Sequence, residues 1–199
     1  MNKIYDIGYY GEGKYKARKN NNEMTIQYRY WFNMIQRCYS EKELNRNKTY
    51  ENVTVCEEWH NFQNFAKWFD DNYYEVDGER MNLDKDILIK GNKIYSPETC
   101  VFVPQRINVI FTKRQNGRGS LPIGVRYMNK KFQARCNVKY KNEKSKSVNL
   151  GTYDNVYEAF NEYKKFKEKY IKEVADEYKS KIPKKLYDAL YIYEVEITD

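Results

Sequence analysis

Residues 131–139, with the sequence KFQARCNVK, constrain the fold of this chain more than any other segment. Phe132, Ala134, Cys136 and Val138 are apolar, and the five residues that flank them are polar, three of them basic. Successive side chains of a β-strand point to opposite faces of the sheet. The alternation therefore predicts a half-buried strand with one apolar face and one basic face.

Shorter alternating segments lie on either side of this strand. Ile123, Val125 and Tyr127 alternate before it, and Val148 and Leu150 alternate after it. Together the three segments predict three antiparallel strands that share one apolar and one basic face. The apolar face must then pack against another element.

The segment after Asn155 predicts a helix that covers the apolar face. Asn155 stands in N-cap position, and Glu158 follows three residues later, as in a capping box. One apolar stripe at helical spacing consists of Ala159, Phe160, Tyr163, Phe166, Tyr170, Ile171, Val174, Ala175 and Tyr178. A helix packed on one face of the sheet would leave the basic face open.

The positive charge of the chain is concentrated in the same region. The formal net charge is +8, and residues 1–111 contribute none of it, since they hold 16 basic and 16 acidic side chains. Residues 112–153 contain eleven basic side chains and one acidic side chain. A block of one sign attracts polyphosphate and steers its approach. The alternative is a face that only keeps the protein soluble.

Residues 121–168 resemble an AP2-type DNA-binding domain. The matching residues are Gly124-Val125, Lys131-Phe132, Ala134, Leu150-Gly151 and Glu158-Ala159-Phe160. In that family the strands enter the major groove, so the resemblance implies that the partner is double-stranded DNA and that the exposed face contacts its bases and phosphates. The side chains that it nominates for DNA contact are Arg126, Lys131, Gln133, Arg135, Asn137, Lys139, Lys146 and Asn149.

The first half of the chain holds a second informative segment, residues 83–104. Asp84, Lys85 and Asp86 end a short apolar run, a Gly-Asn turn follows, and a second apolar run leads to Pro104. Proline is favoured at the start of a helix because it has no N–H to leave unpaired. The predicted order is strand, loop, strand and helix, a frame that can hold a hard metal ion against a phosphate. The alternative is a surface turn with solvated charges.

This segment resembles the HNH nuclease motif of small phage-encoded homing-type endonucleases. Asp84 matches the Asp of the motif, Asn92 its turn Asn, and Asn108 the Asn of the following helix, while Pro97-Glu98 matches the lead-in to the second apolar run. Two positions depart from the pattern. Lys85 stands where the general-base His belongs, and Thr99 stands where a metal-binding Asn belongs.

The resemblance implies a ββα unit that cleaves phosphodiester bonds with a divalent metal ion, Mg²⁺ or Mn²⁺. Asp84 and Asp86 are the candidate metal ligands, and Asp84 and Lys85 are the candidate catalytic residues. Two neighbouring carboxylates keep a lysine charged, so Lys85 suits phosphate binding better than proton abstraction. His60 is the only histidine and lies outside the motif, in a segment with an aromatic face.

The remaining segments before residue 83 are predicted from periodicity. Apolar residues at helical spacing predict helices at about 28–39 and 57–71, and alternation predicts a short strand at 53–55. Residues 40–52 are polar and predict a loop. The aromatic face of the second helix is expected to be core.

The predicted fold class is α+β: an HNH-like ββα unit with N-terminal helices, followed by an AP2-like three-stranded antiparallel sheet packed on a helix. The basic arm, residues 1–27, is expected to lie along DNA or to form a disordered tail. The C-terminal extension, residues 183–199, is expected to hold a short helix and a final strand. The predicted organisation is a basic irregular arm at 1–27, the HNH-like unit at 28–112, a linker at 113–120, the AP2-like domain at 121–182 and a C-terminal extension at 183–199.

Composition excludes several other classes of protein. No run approaches the roughly 20 apolar residues of a membrane span, and the N-terminus lacks the apolar region of a secretory signal. We therefore expect an intracellular, cytoplasmic protein without a membrane partner, and the resemblance implies a phage-infected bacterial host. Cys38, Cys56 and Cys100 are expected to be small buried groups, and their spacing does not argue for a zinc site, which stays open.

Two functions from different classes remain. The first is a DNA endonuclease of the HNH homing type, in which the AP2-like domain chooses the target. The second is a catalytically inactive, sequence-specific DNA-binding or regulatory protein on the same scaffold. Lys85 and Thr99 favour reduced activity. RNA binding has little support, because the aromatic residues lie mostly at core spacing.

Overall fold

The computed structural model describes residues 3–112, 119–140 and 144–199. The chain forms two compact units, Met1–Asp77 with Met81–Phe102, and Gly78–Arg80 with Val103–Asp199. Helices and strands occur in both units, which confirms the α+β class. Most of the predicted linker, residues 113–118, lies outside the described residues.

The first unit is mainly helical, with short strand pairs. Strand β1 pairs in parallel with β3, and β2 pairs with β4. Short 3₁₀ helices occupy Lys48–Tyr50 and Glu57–His60. The other elements are α1 (Ile26–Tyr39), α2 (Glu41–Arg46), β1 (Thr54–Val55), α3 (Phe62–Asn72), β2 (Met81–Asp84), β3 (Ile94–Tyr95) and β4 (Val101–Pro104).

Helices α1 and α3 pack together through an aromatic core. Trp31 of α1 and Trp59 before α3 are fully buried, and the Trp31 Nε1 atom donates a hydrogen bond of 2.7 Å to the Trp59 carbonyl oxygen. Phe62, Phe65 and Phe69 of α3 are also buried. The prediction that this aromatic face is core is therefore confirmed.

Two predicted boundaries in this unit are wrong. The predicted helix 57–71 is interrupted at Asn61, whose side chain accepts a hydrogen bond from the Gln63 N–H and so caps a new helix. The predicted loop 40–52 contains α2, which has no buried residue and so shows no apolar periodicity in the sequence.

The described part of the N-terminal arm before α1, residues 3–25, has no regular helix or strand, but it packs against the rest of the unit. The Tyr9 N–H donates to the His60 carbonyl oxygen at 2.8 Å, and the Tyr9 carbonyl accepts from the Phe62 N–H at 2.9 Å. Farther along, Gln63 exchanges two hydrogen bonds of 2.9 Å with the backbone of Tyr15. The expectation of a disordered tail is wrong for the described part of the arm.

The second unit contains an antiparallel sheet with the order β5–β6–β7. A long helix, α5, contacts all three strands, and the Asn155 side chain caps it by accepting from the Tyr157 N–H at 2.7 Å. The predicted three strands and capped helix are thus present. The elements are α4 (Gln105–Ile110), β5 (Val125–Met128), β6 (Lys131–Val138), β7 (Lys146–Tyr153), α5 (Val156–Tyr178) and α6 (Lys184–Tyr191).

The apolar face of the sheet is the one that α5 covers. Ala134, Cys136 and Val138 of β6 are buried, and α5 buries eight of the nine residues of its predicted stripe, Phe166 being half-buried. Phe132 is also only half-buried, with its ring 5.3 Å from that of Tyr127, which is 59% exposed. The predicted buried face of β6 is confirmed for Ala134, Cys136 and Val138 but not for Phe132.

Helix α4 belongs to the second unit, although the sequence prediction ended the first unit at residue 112. The Arg106 guanidinium forms a bidentate pair with Glu177 of α5, with Nη2 at 3.0 Å from Oε1. Its Nε atom donates to the Lys139 carbonyl oxygen at 3.0 Å. Paired arginine and carboxylate groups of this kind are strong and directional. A fragment that starts at residue 119 would lose these contacts, so the unit cannot be cut at the predicted linker without loss.

The C-terminal extension folds back on α5. Its predicted helix is present as α6, which buries Leu186 and Leu190. The predicted final strand is absent: residues 192–199, all of which are described, form no strand, and the Val195 N–H donates instead to Glu168 of α5 at 2.8 Å. None of the helices in the described ranges is both long and apolar enough to cross a membrane.

Candidate nucleic-acid interface

The face of the β5–β6–β7 sheet that points away from α5 is the candidate interface, here called the open face. Directly paired residues of antiparallel strands share a face, so the register defines its members. A register shift between Ala134 and Arg135 leaves Leu150 of β7 without a direct partner. The pairs on the open face are Arg126–Gln133, Met128–Lys131, Gln133–Thr152, Arg135–Asn149 and Asn137–Ser147.

The charge of the open face has one sign. Arg126 and Lys131 are exposed, and so is Lys139, which directly follows β6 and is counted with this face. Arg135 is half-buried, and the three strands contain no Asp or Glu. Lys131 Nζ lies 3.0 Å from Oδ1 of Asp154, which follows β7, but both side chains are at least half exposed. Exposed pairs of this kind contribute little. The face therefore keeps a positive potential that attracts phosphate.

A row of polar side chains runs along β6. Alternate residues of a strand are about 6.7 Å apart, so Arg135 and Asn137 follow one another on the same side, and the exposed Lys139 comes directly after the end of β6. Asn149 lies beside Arg135 on the neighbouring strand and is exposed. An arginine next to an amide offers donors and acceptors of the kind that read base edges.

Gln133 departs from its predicted role. It lies in the open-face row, but it is only 7% exposed, and its Oε1 atom accepts a hydrogen bond of 2.8 Å from Arg126 Nε. The expectation that Gln133 is an exposed contact residue is wrong. Its amide instead orients the Arg126 guanidinium, whose Nη2 atom also donates to the Met128 sulfur at 3.4 Å.

Lys146 also departs from its predicted role. It is paired with Val138, which is buried on the covered side of the sheet, so Lys146 belongs to that side and not to the open face. Its Nζ atom lies 5.3 Å from the centre of the Tyr140 ring. Lys146 and Val148 are two residues apart and lie on the same face of β7, whereas Asn149 lies on the opposite face. The alternation within β7 therefore already indicates that Lys146 and Asn149, the two DNA contacts predicted in this strand, lie on opposite faces.

In the first unit, Asp84 organises the loop that follows β2. Its Oδ1 atom accepts hydrogen bonds from the N–H groups of Asp86 at 2.9 Å and Ile87 at 2.8 Å. Strand β2 ends at this residue, so the strand alternation does not continue through Asp86. Burial raises the pKa of the Asp84 carboxyl to about 6, and the nearby Asp86 carboxylate adds to the rise.

Lys85 points into the first unit. Its residue is only 8% exposed, and its Nζ atom lies 3.3 Å from Asp86 Oδ2 and 5.9 Å from the centre of the Tyr95 ring. Arg37 of α1 lies 5.8 Å from the centre of the same ring. Two cations therefore lie beside one buried tyrosine. This position favours a packing role for Lys85 over contact with a phosphate in solvent.

The other motif residues hold the loop together. Asn92 Nδ2 donates to the carbonyl oxygens of Lys85 and Ile94, both at 2.7 Å. Thr99 Oγ1 donates to the Ile94 carbonyl at 2.8 Å and lies 3.1 Å from Ser96 Oγ. Asn108 lies in α4 of the second unit and is half-buried. The resemblance to a nuclease motif thus coincides with residues that fix a backbone turn.

The predicted metal ligands do not fit a metal ion in this arrangement. One Asp84 oxygen already accepts two N–H groups, and an Asp86 oxygen faces the Lys85 ammonium. The His60 Nε2 atom is 3.0 Å from the Val55 carbonyl oxygen. Across the described ranges, no three His, Cys, Asp or Glu side chains are grouped so that they could hold a metal ion.

The cysteines of this unit are also poor candidates for zinc ligands. Cys38 and Cys100 are buried and Cys56 is half-buried, and all three are free thiols. Burial raises the pKa of Cys38 to about 11 and that of Cys100 to about 12. Zinc binds the thiolate, and burial disfavours that charged form at Cys38 and Cys100.

Replacing Asp84 by asparagine tests the role of this carboxyl as a buried hydrogen-bond acceptor. Because the folded-state pKa is raised, the folded protein holds the proton more tightly, and stability is lost as the pH rises from about 4 to about 6. The asparagine side chain keeps the acceptor without the charge. We expect Asp84→Asn to raise the free energy of unfolding by about 1–3 kcal/mol near neutral pH and by almost nothing near pH 4.

Denaturant unfolding at several pH values measures this difference. Asp77→Asn, at an exposed position of the same unit, is the matched control and should change little. The assignment is wrong if Asp84→Asn destabilises the protein at neutral pH. It is also wrong if millimolar Mg²⁺ raises the Tm of the wild type but not that of the variant, because Asp84 would then be a metal ligand.

Sequence reasoning missed several residues of both regions. Arg37 and Lys85 both lie beside the Tyr95 ring, but they are 58 and 10 residues from Tyr95 in the chain, so no local pattern connects the three. The contact between Arg126 and Gln133 depends on the β5–β6 register. Their pairing could have been found by extending the predicted hairpin from its turn at Asn129 and Lys130, which both have positive φ.

No protein-family model matches the chain, and the searches of curated proteins and of solved structures gave no match either. The resemblances to the HNH and AP2 families therefore rest on the residues quoted above.

Proposed function

We propose that this protein binds double-stranded DNA through the open face of its β5–β6–β7 sheet, as a DNA-binding protein that does not cut. The observation that carries this proposal is the one-signed open face, with Arg126, Lys131, Arg135 and Lys139 and no carboxylate in its strands. Lysines position a protein on phosphates, and arginine and asparagine can pair with guanine and adenine edges.

The shape of the sheet is compatible with this ligand. The major groove is about 12 Å wide and admits a two-stranded ribbon. β6 is the central strand, with eight residues, and α5 supports it from the opposite side. The side chains of Arg135, Asn137 and Asn149 can then enter the groove while Arg126 and Lys139 contact the flanking phosphates. This arrangement supports sequence-specific binding.

A titration of duplex DNA at salt concentrations between about 50 and about 200 mM tests the proposal. Neutralising one phosphate contributes about −0.9 to the slope of log K against log salt, so the four cations of the open face should contribute about −3 to −4. Selection from a pool of randomised duplexes should enrich a defined sequence. Binding without salt dependence, or no binding, would contradict the proposal.

The second candidate function is metal-dependent cleavage of DNA by an HNH-like unit. The order of β2, loop, β4 and α4 favours it, with Asp84 at the end of the first strand. The side chains around Asp84 do not form a metal site, so we place DNA binding first. No catalytic step is assigned to Lys85, whose ammonium is turned toward Asp86 and Tyr95.

A cleavage assay on the selected duplex separates the two candidates. We expect no cleavage with Mg²⁺ or Mn²⁺, because the described residues offer no group of three ligands. The selected duplex is used because a site-specific endonuclease would not cut DNA that lacks its target sequence. Cleavage that Asp84→Ala abolishes, with DNA binding retained, would establish the endonuclease instead.

A further inference from the structure

A second basic surface lies on the hairpin of α5 and α6, away from the open face. Residues 178–187 contain four lysines and no acidic residue. Lys179, Lys181, Lys184 and Lys185 are all exposed, and the Lys184 side chain is 86% exposed. This segment joins α5 to α6, so its charges form one surface only if the two helices pack side by side.

Aromatic contacts show that the two helices present one continuous surface. The rings of Tyr187 and Tyr191 stack with centres 5.0 Å apart. Lys179 Nζ of the α5 end lies 5.6 Å from the Tyr187 ring, and Lys172 Nζ lies 5.8 Å from the Tyr191 ring. Asp176 lies between them, with Oδ1 accepting from the Tyr187 hydroxyl at 2.8 Å and Oδ2 accepting from the Tyr191 hydroxyl at 3.4 Å. Side chains from both helices thus interlock in one layer.

The surface stays positive after its ion pairs are counted. It holds five lysines and two carboxylates, so its net charge is +3. Asp188 pairs with Lys184, and Asp176 accepts the tyrosine hydroxyls. The nearby acidic residues Glu173 and Glu177 are paired with cations outside the patch, Glu173 with Lys169 and Glu177 with Arg106. Among the described residues, Lys181 and Lys185 have no ion-pair partner.

The position of this surface differs from that of the open face. The Tyr170 hydroxyl contacts the backbone of Lys139 at the end of β6. Lys179 follows nine residues later, or about 13 Å along the helix at 1.5 Å per residue. The second surface therefore lies beyond the end of the sheet, by a distance that corresponds to about four base pairs at 3.4 Å each.

We infer that this surface, called the α5–α6 patch, is a second binding surface for the phosphate backbone of duplex DNA. Its members are Lys172, Lys179, Lys181, Lys184, Lys185, Tyr187 and Tyr191. Lysine is a flexible point charge, so the patch contacts phosphates without reading sequence. The inference rests on the proposed function only in that the open face and the patch bind the same ligand, duplex DNA. The patch adds binding affinity that does not depend on the base sequence of the duplex.

The test compares two pairs of substitutions in the full chain. Lys181→Gln with Lys185→Gln removes two charges from the patch, and Lys48→Gln with Lys67→Gln removes two charges from exposed positions of the first unit. Binding is titrated at several salt concentrations on a duplex of about 25 base pairs, which is longer than the roughly 34 Å of α5.

The patch variant should lose about two units of salt slope, and the control variant should keep the slope of the wild type. The loss should be the same on the selected duplex and on an unrelated one, because the patch does not read bases. Equal slopes for patch variant and wild type, or equal losses in both variants, would overturn the inference. An open-face variant run in parallel separates the two proposals: if it binds as the wild type does while the patch variant fails, the open-face proposal is wrong and the patch stands.

Discussion

Reversing two charges on the open face, by Arg135→Glu with Lys139→Glu, should weaken binding to the selected duplex about 100-fold. Each lost contact costs roughly 1–3 kcal/mol, and the new carboxylates repel the phosphates. The salt slope should fall by about two, one unit for each lost phosphate contact. Fluorescence anisotropy of a labelled duplex measures both quantities. The Tm should stay near that of the wild type, because neither side chain is fully buried.

A matched charge reversal distinguishes a site from a general effect of net charge. Lys48→Glu with Lys67→Glu changes the net charge by the same amount at exposed positions of the first unit. We expect a loss of less than about threefold in this control, because salt largely screens exposed charges that do not contact the ligand. If both double variants lose affinity equally, the open face is not the binding surface.

Replacing Gly124 by alanine should destabilise the second unit by about 3 kcal/mol or more. Gly124 has a φ of +78°, and an added Cβ atom would lie 2.0 Å from the ring of Tyr163. Tyr163 is buried in the stripe of α5 that packs on the sheet, so the ring cannot move aside easily. Overpacking of this kind costs about 1–3 kcal/mol, and the positive φ adds about 1 kcal/mol. The free energy of unfolding in urea is the measurement.

Gly78→Ala is the control that measures the cost of placing an alanine at positive φ without a steric clash. Gly78 belongs to the same unit and has a similar φ of +74°, but an added Cβ would meet nothing within 4 Å. It should cost about 1 kcal/mol, from the backbone alone. The packing of α5 against the start of β5 is contradicted if the two alanine variants unfold at the same denaturant concentration.

Local patterns predicted the elements whose side chains alternate or repeat without interruption. The segment KFQARCNVK became β6, and the stripe that begins at Ala159 became the buried side of α5, because a half-buried element needs its apolar residues on one side. Asn155 caps α5 as its position predicts. The open face follows from the same alternation, so five of the eight nominated residues lie on it as the sequence predicted: Arg126, Lys131, Arg135, Asn137 and Asn149.

The errors arise where contacts distant in sequence decide the structure. Helix α4 joins the second unit because Arg106 pairs with Glu177, 71 residues later, and no local pattern contains that pair. Lys85 turns inward because β2 ends at Asp84, whose carboxylate then accepts backbone N–H groups. Gln133 is covered because Arg126 of the neighbouring strand reaches across to it. The roles of motif residues in a loop depend on such geometry more than on spacing.

NMR of the side-chain nitrogen groups tests the central claim, that the open face binds duplex DNA, most directly. In a titration of ¹⁵N-labelled protein with the selected duplex, the Nε–H signals of Arg126 and Arg135 and the Nδ2 signals of Asn137 and Asn149 should shift strongly. The Nδ2 signals of Asn64 and Asn72 of α3, which donate to the carbonyl oxygens of Glu58 and Trp68, should stay in place. Saturation of the protein with DNA while the four open-face signals remain unshifted would contradict the account.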